Sequence, residues 1–159
     1  MLTIRNAEPR DTATLHGLIR DLAIYEKLLE AMDATSEQLA AALFCESPRV
    51  FCDIAEWTEG GATEPAGMAL WFYNYSTFRG RHGIYLEDLF VRPGMRGKGI
   101  GKALLLGLVD RCVSQNLARL EWAVLEWNEP AIQFYKSLGA VAQHEWFVFR
   151  LTGNALTRR

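Results

Sequence analysis

The run from Leu86 to Leu105, L-E-D-L-F-V-R-P-G-M-R-G-K-G-I-G-K-A-L-L, constrains this chain more than any other. An apolar, β-rich segment runs into a turn in which Gly97, Gly99 and Gly101 alternate, and a segment with helical spacing follows. A strand that enters a helix in this way leaves the first-turn N–H groups without intrahelical acceptors. The helix dipole adds roughly half a positive charge at the same place. Glycines there allow backbone dihedrals that side chains forbid and let a ligand come close to the amides. Arg96, Lys98 and Lys102 surround the turn with full charges. The junction therefore reads as an anion site, with a phosphate or pyrophosphate as guest. The alternative is a tight turn whose glycines serve only packing.

Two common phosphate loops fail on spacing. A P-loop needs Ser or Thr after its lysine, but Ala103 follows Lys102. The dinucleotide fingerprint needs glycine where Lys102 stands. The pattern that fits is Arg96-x-x-Gly99-x-Gly101 after a strand, which resembles the coenzyme A pyrophosphate loop of the GCN5-related N-acetyltransferases. Downstream, E-W-N-E-P-A-I-Q-F-Y-K-S-L-G-A from Glu126 to Ala140 is similar to the second half of the same family's core. L-E-D-x-F-V, R-G-x-G-I-G, E-W-N-E-P and F-Y-K occur in the order found in the diamine (spermidine/spermine) acetyltransferases, the subfamily the chain most resembles.

That resemblance implies an α/β (α+β) fold, with a mixed, mostly antiparallel twisted sheet of about six or seven strands and helices on both faces. It implies acetyl-coenzyme A as co-substrate, held by Leu89, Phe90 and Val91 of the strand, by Arg96, Gly97, Lys98, Gly99, Ile100, Gly101 and Lys102 of the loop, and by Asn128, Pro130 and Ala131. It places Glu87 as the carboxylate that helps deprotonate the amine, and Tyr135 as the acid that protonates the departing thiolate. Tyr25, Glu26, Glu87, Glu121 and Trp122 fall on the acceptor side. The first-choice acceptor is a small diamine or polyamine-like amine. However, Lys27, Leu28 and Leu29 interrupt the acidic run that follows Y-E in the subfamily, and Arg79, Arg81 and His82 make the approach to Glu87 basic. An amino acid such as thialysine or a protein amine stays open as acceptor, as does a non-catalytic acyl-coenzyme A sensor. The resemblance also implies a homodimer.

The residues themselves admit plainer readings. Glu87 could pair with a neighbouring cation, Tyr135 could be core, and Asn128 could be only a helix cap. Strand alternation puts Glu87, Leu89 and Val91 on one face and Asp88 and Phe90 on the other, with Asp88 structural. The four tryptophans beyond Trp71, among them Trp122, Trp127 and Trp146, suit a core or a dimer surface.

The chain has 159 residues, 50% of them apolar, and a formal net charge of −2, which suits one domain over residues 1–159. With both signs interspersed and no basic face, nucleic acid is not an expected partner. Cys45, Cys52 and Cys112 lack metal-ligand spacing, and His16, His82 and His144 are dispersed. Neither metal nor disulfide is expected, and the setting is read as cytoplasmic. No apolar run approaches ~20 residues, so no membrane span is expected.

Periodicity and turn residues predict strands over Leu2–Arg5, Val50–Trp57, Ala66–Tyr75, Gly83–Val91 and Arg119–Trp127, with two more within Val141–Leu151. Thr58 to Pro65 reads as a hairpin loop. Asp11 is expected to cap a helix with apolar positions from Leu15 to Leu29, and Thr35 with Gln38 to form a capping box. Asn128, Pro130 and Gly139 bound a short helix that turns Ile132, Tyr135 and Leu138 inward.

Overall fold

Two long strands, β2 (Phe51–Glu59) and β3 (Ala62–Ser76), form the centre of the fold and are buried on both faces through Cys52–Ala55 and Ala66–Trp71. The computed structural model describes residues 1–157. They divide into two compact units, Met1–Ala123 and a second that begins at Val124.

The first unit is a five-stranded sheet in the order β1-β2-β3-β4-β5, where β1 is Leu2–Asn6, β4 is Arg81–Val91 and β5 is Leu120–Trp122. Successive strands are antiparallel except β5, which lies parallel to β4. The β2–β3 connection is tighter than Thr58–Pro65 suggests. Only Gly60 and Gly61 turn, at φ 59° and 82°, and the strands pair from Thr58 opposite Thr63. Two positive φ values in a two-residue loop match the twist of the flanking strands, and glycine adopts them without strain.

Helix α1 (Thr12–Tyr25) ends earlier than its apolar spacing suggests. Lys27 turns to φ 60°, and Leu29 begins a separate 3-10 turn. Asp11 precedes α1 but does not cap it with its side chain. Its carboxylate instead accepts from Arg5 at 2.7 and 2.9 Å and from the Glu8 amide at 2.8 Å. The hydrogen bonds from Arg5 hold the Asp11 carboxyl below its usual range. Helix α2 (Ser36–Leu43) carries the expected capping box, with Gln38 N–H donating to Thr35 Oγ1 at 3.2 Å and Thr35 N–H to Gln38 Oε1 at 2.9 Å.

Sheet alternation distributes the helices between the two faces. Cys52, Ile54, Met68, Leu70 and Phe90 pack with Leu15, Leu18 and Leu43 of α1 and α2. Helix α3 (Ile100–Ser114) lies on the opposite face, where Arg111 reaches Asp53 at 3.5 Å and sits 4.7 Å from the Trp71 ring. On its inner face Ile100, Leu104 and Leu108 are no more than 1% exposed, and Cys112 at the end of the same face is half-buried. Each fully buried side chain there contributes roughly 2 kcal/mol by leaving water.

The second unit holds α4 (Glu129–Ser137). Asn128 Oδ1 caps it by accepting from the Ala131 amide at 3.4 Å, Pro130 lies in the first turn, and Gly139 follows the end at φ 88°. Two expectations are corrected here. The strand predicted through Trp127 stops at Trp122, because Asn128 N–H donates to the Leu125 carbonyl at 2.9 Å and closes the turn that launches α4. Among the described residues Val141–Leu151 forms no strand either, so the sheet has five strands instead of six or seven. β-type composition supplies no ladder partner. Trp146, Phe147, Val148 and Phe149 are 78% to 94% exposed.

Candidate active site

The chemistry-bearing strand is β4, whose two edges are treated differently. Its β3 edge is paired from Arg81 to Val91, whereas β5 runs beside Ile84–Leu86 only. From Glu87 to Val91 no described strand covers the second edge, so the backbone groups of Leu89 and the Val91 amide can meet an extended ligand, while the Val91 carbonyl accepts from Arg96 Nε. A bulge marks the change. Leu70 pairs with Asp88 and Trp71 with Leu86, leaving Glu87 without a cross-strand partner. Such an insertion re-aims side chains. Leu86 is 2% exposed and Glu87 is exposed, while Asp88 and Phe90 turn toward the α1 face. Gly67 permits this packing, since a Cβ there would lie 2.6 Å from the Phe90 carbonyl oxygen.

Beyond Val91 the glycine loop leads into α3. Gly97 and Gly99 stand at φ 80° and 77°, and a Cβ at either would meet nothing within 4 Å. Backbone conformation, not packing, requires glycine at both. Gly101 has neither constraint, as its Cβ would make an ordinary 3.6 Å contact with Val91. Gly99 is the N-cap and no side chain caps α3, so the amides of Ile100, Gly101 and Lys102 keep their anion-binding capacity. Lys102 is exposed. Lys98 turns aside, with Nζ 3.4 Å from Glu59 and 4.5 Å from the centre of the Trp57 ring. The Arg96 guanidinium also leaves the loop. It lies 4.8 Å over Tyr25 and 5.8 Å from the Phe90 centroid, and Nε donates to the Val91 carbonyl at 3.2 Å.

Two carboxylates, Glu26 and Asp88, come near each other where the end of α1 meets β4, and Glu87 adjoins Asp88 along the strand. Glu26 is the C-cap of α1, and burial raises its pKa. Asp88 is pushed up to about 6, chiefly by burial and then by the charges of Glu87 and Glu26. A group at that value changes charge near neutrality and can hold a proton there. Since Asp88 titrates higher in the folded chain than in the unfolded one, its contribution favours folding below the unfolded value of 3.8 and is lost as pH rises through about 6. Asp88→Asn should therefore raise stability by about 1–2 kcal/mol at pH 8 and leave it nearly unchanged at pH 4. That figure is a ceiling of roughly 3 kcal/mol discounted for residual solvent. Thermal melts at the two pH values check this.

Of the remaining predicted residues, Glu121 on β5 pairs with Arg119 at 2.9 Å and accepts from Asn74 Nδ2 at 2.9 Å. Trp122 ends the same strand opposite Leu86. Asn128, Pro130, Ala131 and Tyr135 all belong to the second unit. Tyr135 lies on the half-buried side of α4 with Ile132 and Leu138.

The sequence reading passed over the surroundings of Arg96. Asp21, Ile24 and Tyr25 of α1 join Phe90, Pro93 and Arg96 around a cavity of about 430 Å³. Asp21 and Tyr25 stand one helical turn apart, which is the only trace of this wall in the sequence. Asp88 was read as structural, and its nearness to Glu26 is a long-range contact with no local signal.

Comparison with known proteins agrees with this geometry. The Acetyltransferase (GNAT) family matches residues 21–140. The chain is 38% identical to thialysine N-epsilon-acetyltransferase of Bos taurus, over 96% of this chain and 94% of that protein. It is 34% identical to L-ornithine N5-acetyltransferase NATA1 of Arabidopsis thaliana, over 96% and 85%. Identity to the human spermidine/spermine N(1)-acetyltransferase-like protein 1 is 31%, over 96% of this chain and 23% of that one. Among solved structures, an integron cassette protein from V. cholerae superposes with a TM-score of 0.79 at 29% identity, covering 98% of this chain and 95% of the other.

Proposed function

The chain belongs to the GNAT acetyltransferase family, and on that premise we propose that it transfers the acetyl group of acetyl-coenzyme A to a small primary amine by direct attack in a ternary complex. The observation that carries this reading is the open β4 edge from Glu87 to Val91, which runs straight into the uncapped N-terminus of α3. The amides at Ile100, Gly101 and Lys102 suit the pyrophosphate, with Gly97 and Gly99 shaping the approach. Leu89 and Val91 offer backbone groups to the pantetheine arm, and Asn128, Pro130 and Ala131 are the further coenzyme contacts that the family resemblance implies.

The amine must first lose a proton, because an alkylammonium with a pKa near ~10 has no lone pair. Glu87, exposed at the bulge, accepts that proton directly or through water. The amine nitrogen then attacks the thioester carbonyl, and a β4 amide stabilises the developing oxyanion. The C–S bond breaks, and the Tyr135 phenol gives its proton to the leaving thiolate. Glu26 and Asp88 supply the negative field that draws a cationic acceptor, and Tyr25 lies next to Glu26 in the chain.

A diamine or polyamine-like acceptor is the first reading, and the nearness of Glu26 and Asp88 favours it. The thialysine and ornithine enzymes among the relatives favour an amino acid instead. The test is thiol release from acetyl-coenzyme A with putrescine, spermidine, spermine, lysine, thialysine and a peptide amine, run beside Glu87→Gln. Turnover of at least one small amine, reduced about 10²-fold by the substitution, is expected. Coenzyme binding without acetylation of any acceptor would remove the reading.

The free thiols at Cys45, Cys52 and Cys112 suit a cytoplasmic setting. We also propose a homodimer that covers the exposed Trp146–Phe149 run. Light scattering should give twice the chain mass of 18.0 kDa, and Trp146→Ser combined with Phe149→Ser should return it to the single chain. A monomer at all concentrations would contradict the proposal.

A further inference from the structure

Strand β5 is the shortest of the sheet and the least anchored by burial. Leu120, Glu121 and Trp122 are all half-buried, so burial of one face does not set its register. Its ladder with β4 is parallel and runs only from Ile84 opposite Leu120 to Leu86 opposite Trp122. One residue further, at Glu87, the open edge begins. The place at which the sheet opens therefore depends on more than the β5 ladder.

Side chains supply the rest by reaching over β4. Asn74 Nδ2 of β3 donates to Glu121 Oε1 of β5 at 2.9 Å, although β4 lies between them and two strand spacings amount to about 9.5 Å. Arg119 Nε holds the same oxygen at 2.9 Å, and its Nη1 lies 3.5 Å from the buried Ser76 Oγ of β3. Glycine lets the bridge pass. Gly83 stands opposite Asn74, and a Cβ there would lie 2.6 Å from Asn74 Oδ1 and 2.7 Å from the Arg119 carbonyl oxygen. Asn74 Oδ1 is buried with no hydrogen-bond partner among the described residues, so the side-chain amide is held by its bond to Glu121. A slip of β5 by one residue would turn Glu121 to the other face of the sheet and break that bond.

We propose that Asn74, Gly83 and Glu121 form a register lock that fixes where β5 leaves β4, and that Glu121 is thereby a positioning residue for the coenzyme arm, not a ligand of the amine. The inference rests on the reading above that the open β4 edge receives the coenzyme. Glu121 is already paired with Arg119 and bonded to Asn74, which leaves it little negative charge to offer a cationic acceptor.

Titration calorimetry with coenzyme A needs no acceptor and reads the coenzyme side alone. Glu121→Leu keeps a side chain of similar size and removes the accepting oxygen, and its Kd for coenzyme A should rise about fivefold or more, the worth of roughly one hydrogen bond. Asn74→Leu should do the same. The double variant should bind no more weakly than either single one, because both remove the same bond. Glu121→Gln keeps a carbonyl oxygen for Asn74 and gives up only a half-exposed ion pair, which is worth little. It should stay within about twofold of wild type, both in its Kd for coenzyme A and in the KM of every amine of the screen that is turned over. An unchanged Kd in Glu121→Leu overturns the inference and leaves the acetyltransferase reading intact. The same holds if Glu121→Gln raises the KM of an amine about tenfold at an unchanged Kd for coenzyme A, the signature of a charge held for the acceptor. Wild-type protein that binds no coenzyme A would defeat both readings.

Discussion

Tyr135→Phe should lower kcat by about 10²-fold and leave the KM of acetyl-coenzyme A within about twofold. Positioned proton transfer is commonly worth 10²–10⁴-fold. The lower end applies because a thiolate, with a conjugate pKa near ~8.5, is a tolerable leaving group without help. The side chain sits on the half-buried side of α4 and differs from Phe by one hydroxyl, so the helix with its Asn128 cap and Gly139 terminus should remain. Steady-state thiol release as a function of pH provides the check, because loss of an acid flattens the alkaline limb of the wild-type profile. An unchanged kcat would return Tyr135 to a packing role.

Gly99→Val should have the second large effect. At φ 77° a β-branched residue enters the left-handed region, which costs about 1–2 kcal/mol for a residue with a Cβ. Since nothing lies within 4 Å of the added Cβ, the loop relaxes by changing its backbone, not by pushing neighbours. That rotation tilts the amides at the start of α3, and the KM of acetyl-coenzyme A should rise roughly 10- to 100-fold, or about 1.4–2.8 kcal/mol. Gly101→Ala is the control, because its backbone is helical and its new methyl meets Val91 at 3.6 Å. It should melt at or above the wild-type temperature. Equal coenzyme KM values for wild type and Gly99→Val would show that the loop amides do not hold the anion.

Local patterns carried much of the fold. The capping box at Thr35 and the asparagine cap at Asn128 depend on residues three apart, and both appear in the structure as read. Signals that need a partner failed. The Val141–Leu151 run has β-type residues but no ladder, and Asp11 has the chemistry of a cap yet is occupied by Arg5 of β1. Likewise, Lys98 and Arg96 belong to the loop by sequence, but their charges are drawn to Glu59 and Trp57 and to Tyr25.

By itself the sequence determined the family, the strand–loop–helix junction and the glutamate beside it, because glycine spacing and the order of elements are properties of contiguous chain. Only the tertiary structure decided where β5 stops, that the bulge exposes Glu87 and turns Asp88 toward Glu26, and that Arg96 faces Asp21 across an apolar cavity. Each of these joins residues distant along the chain, and the burial that raises Asp88 to about 6 exists only once α1 and β4 have packed together.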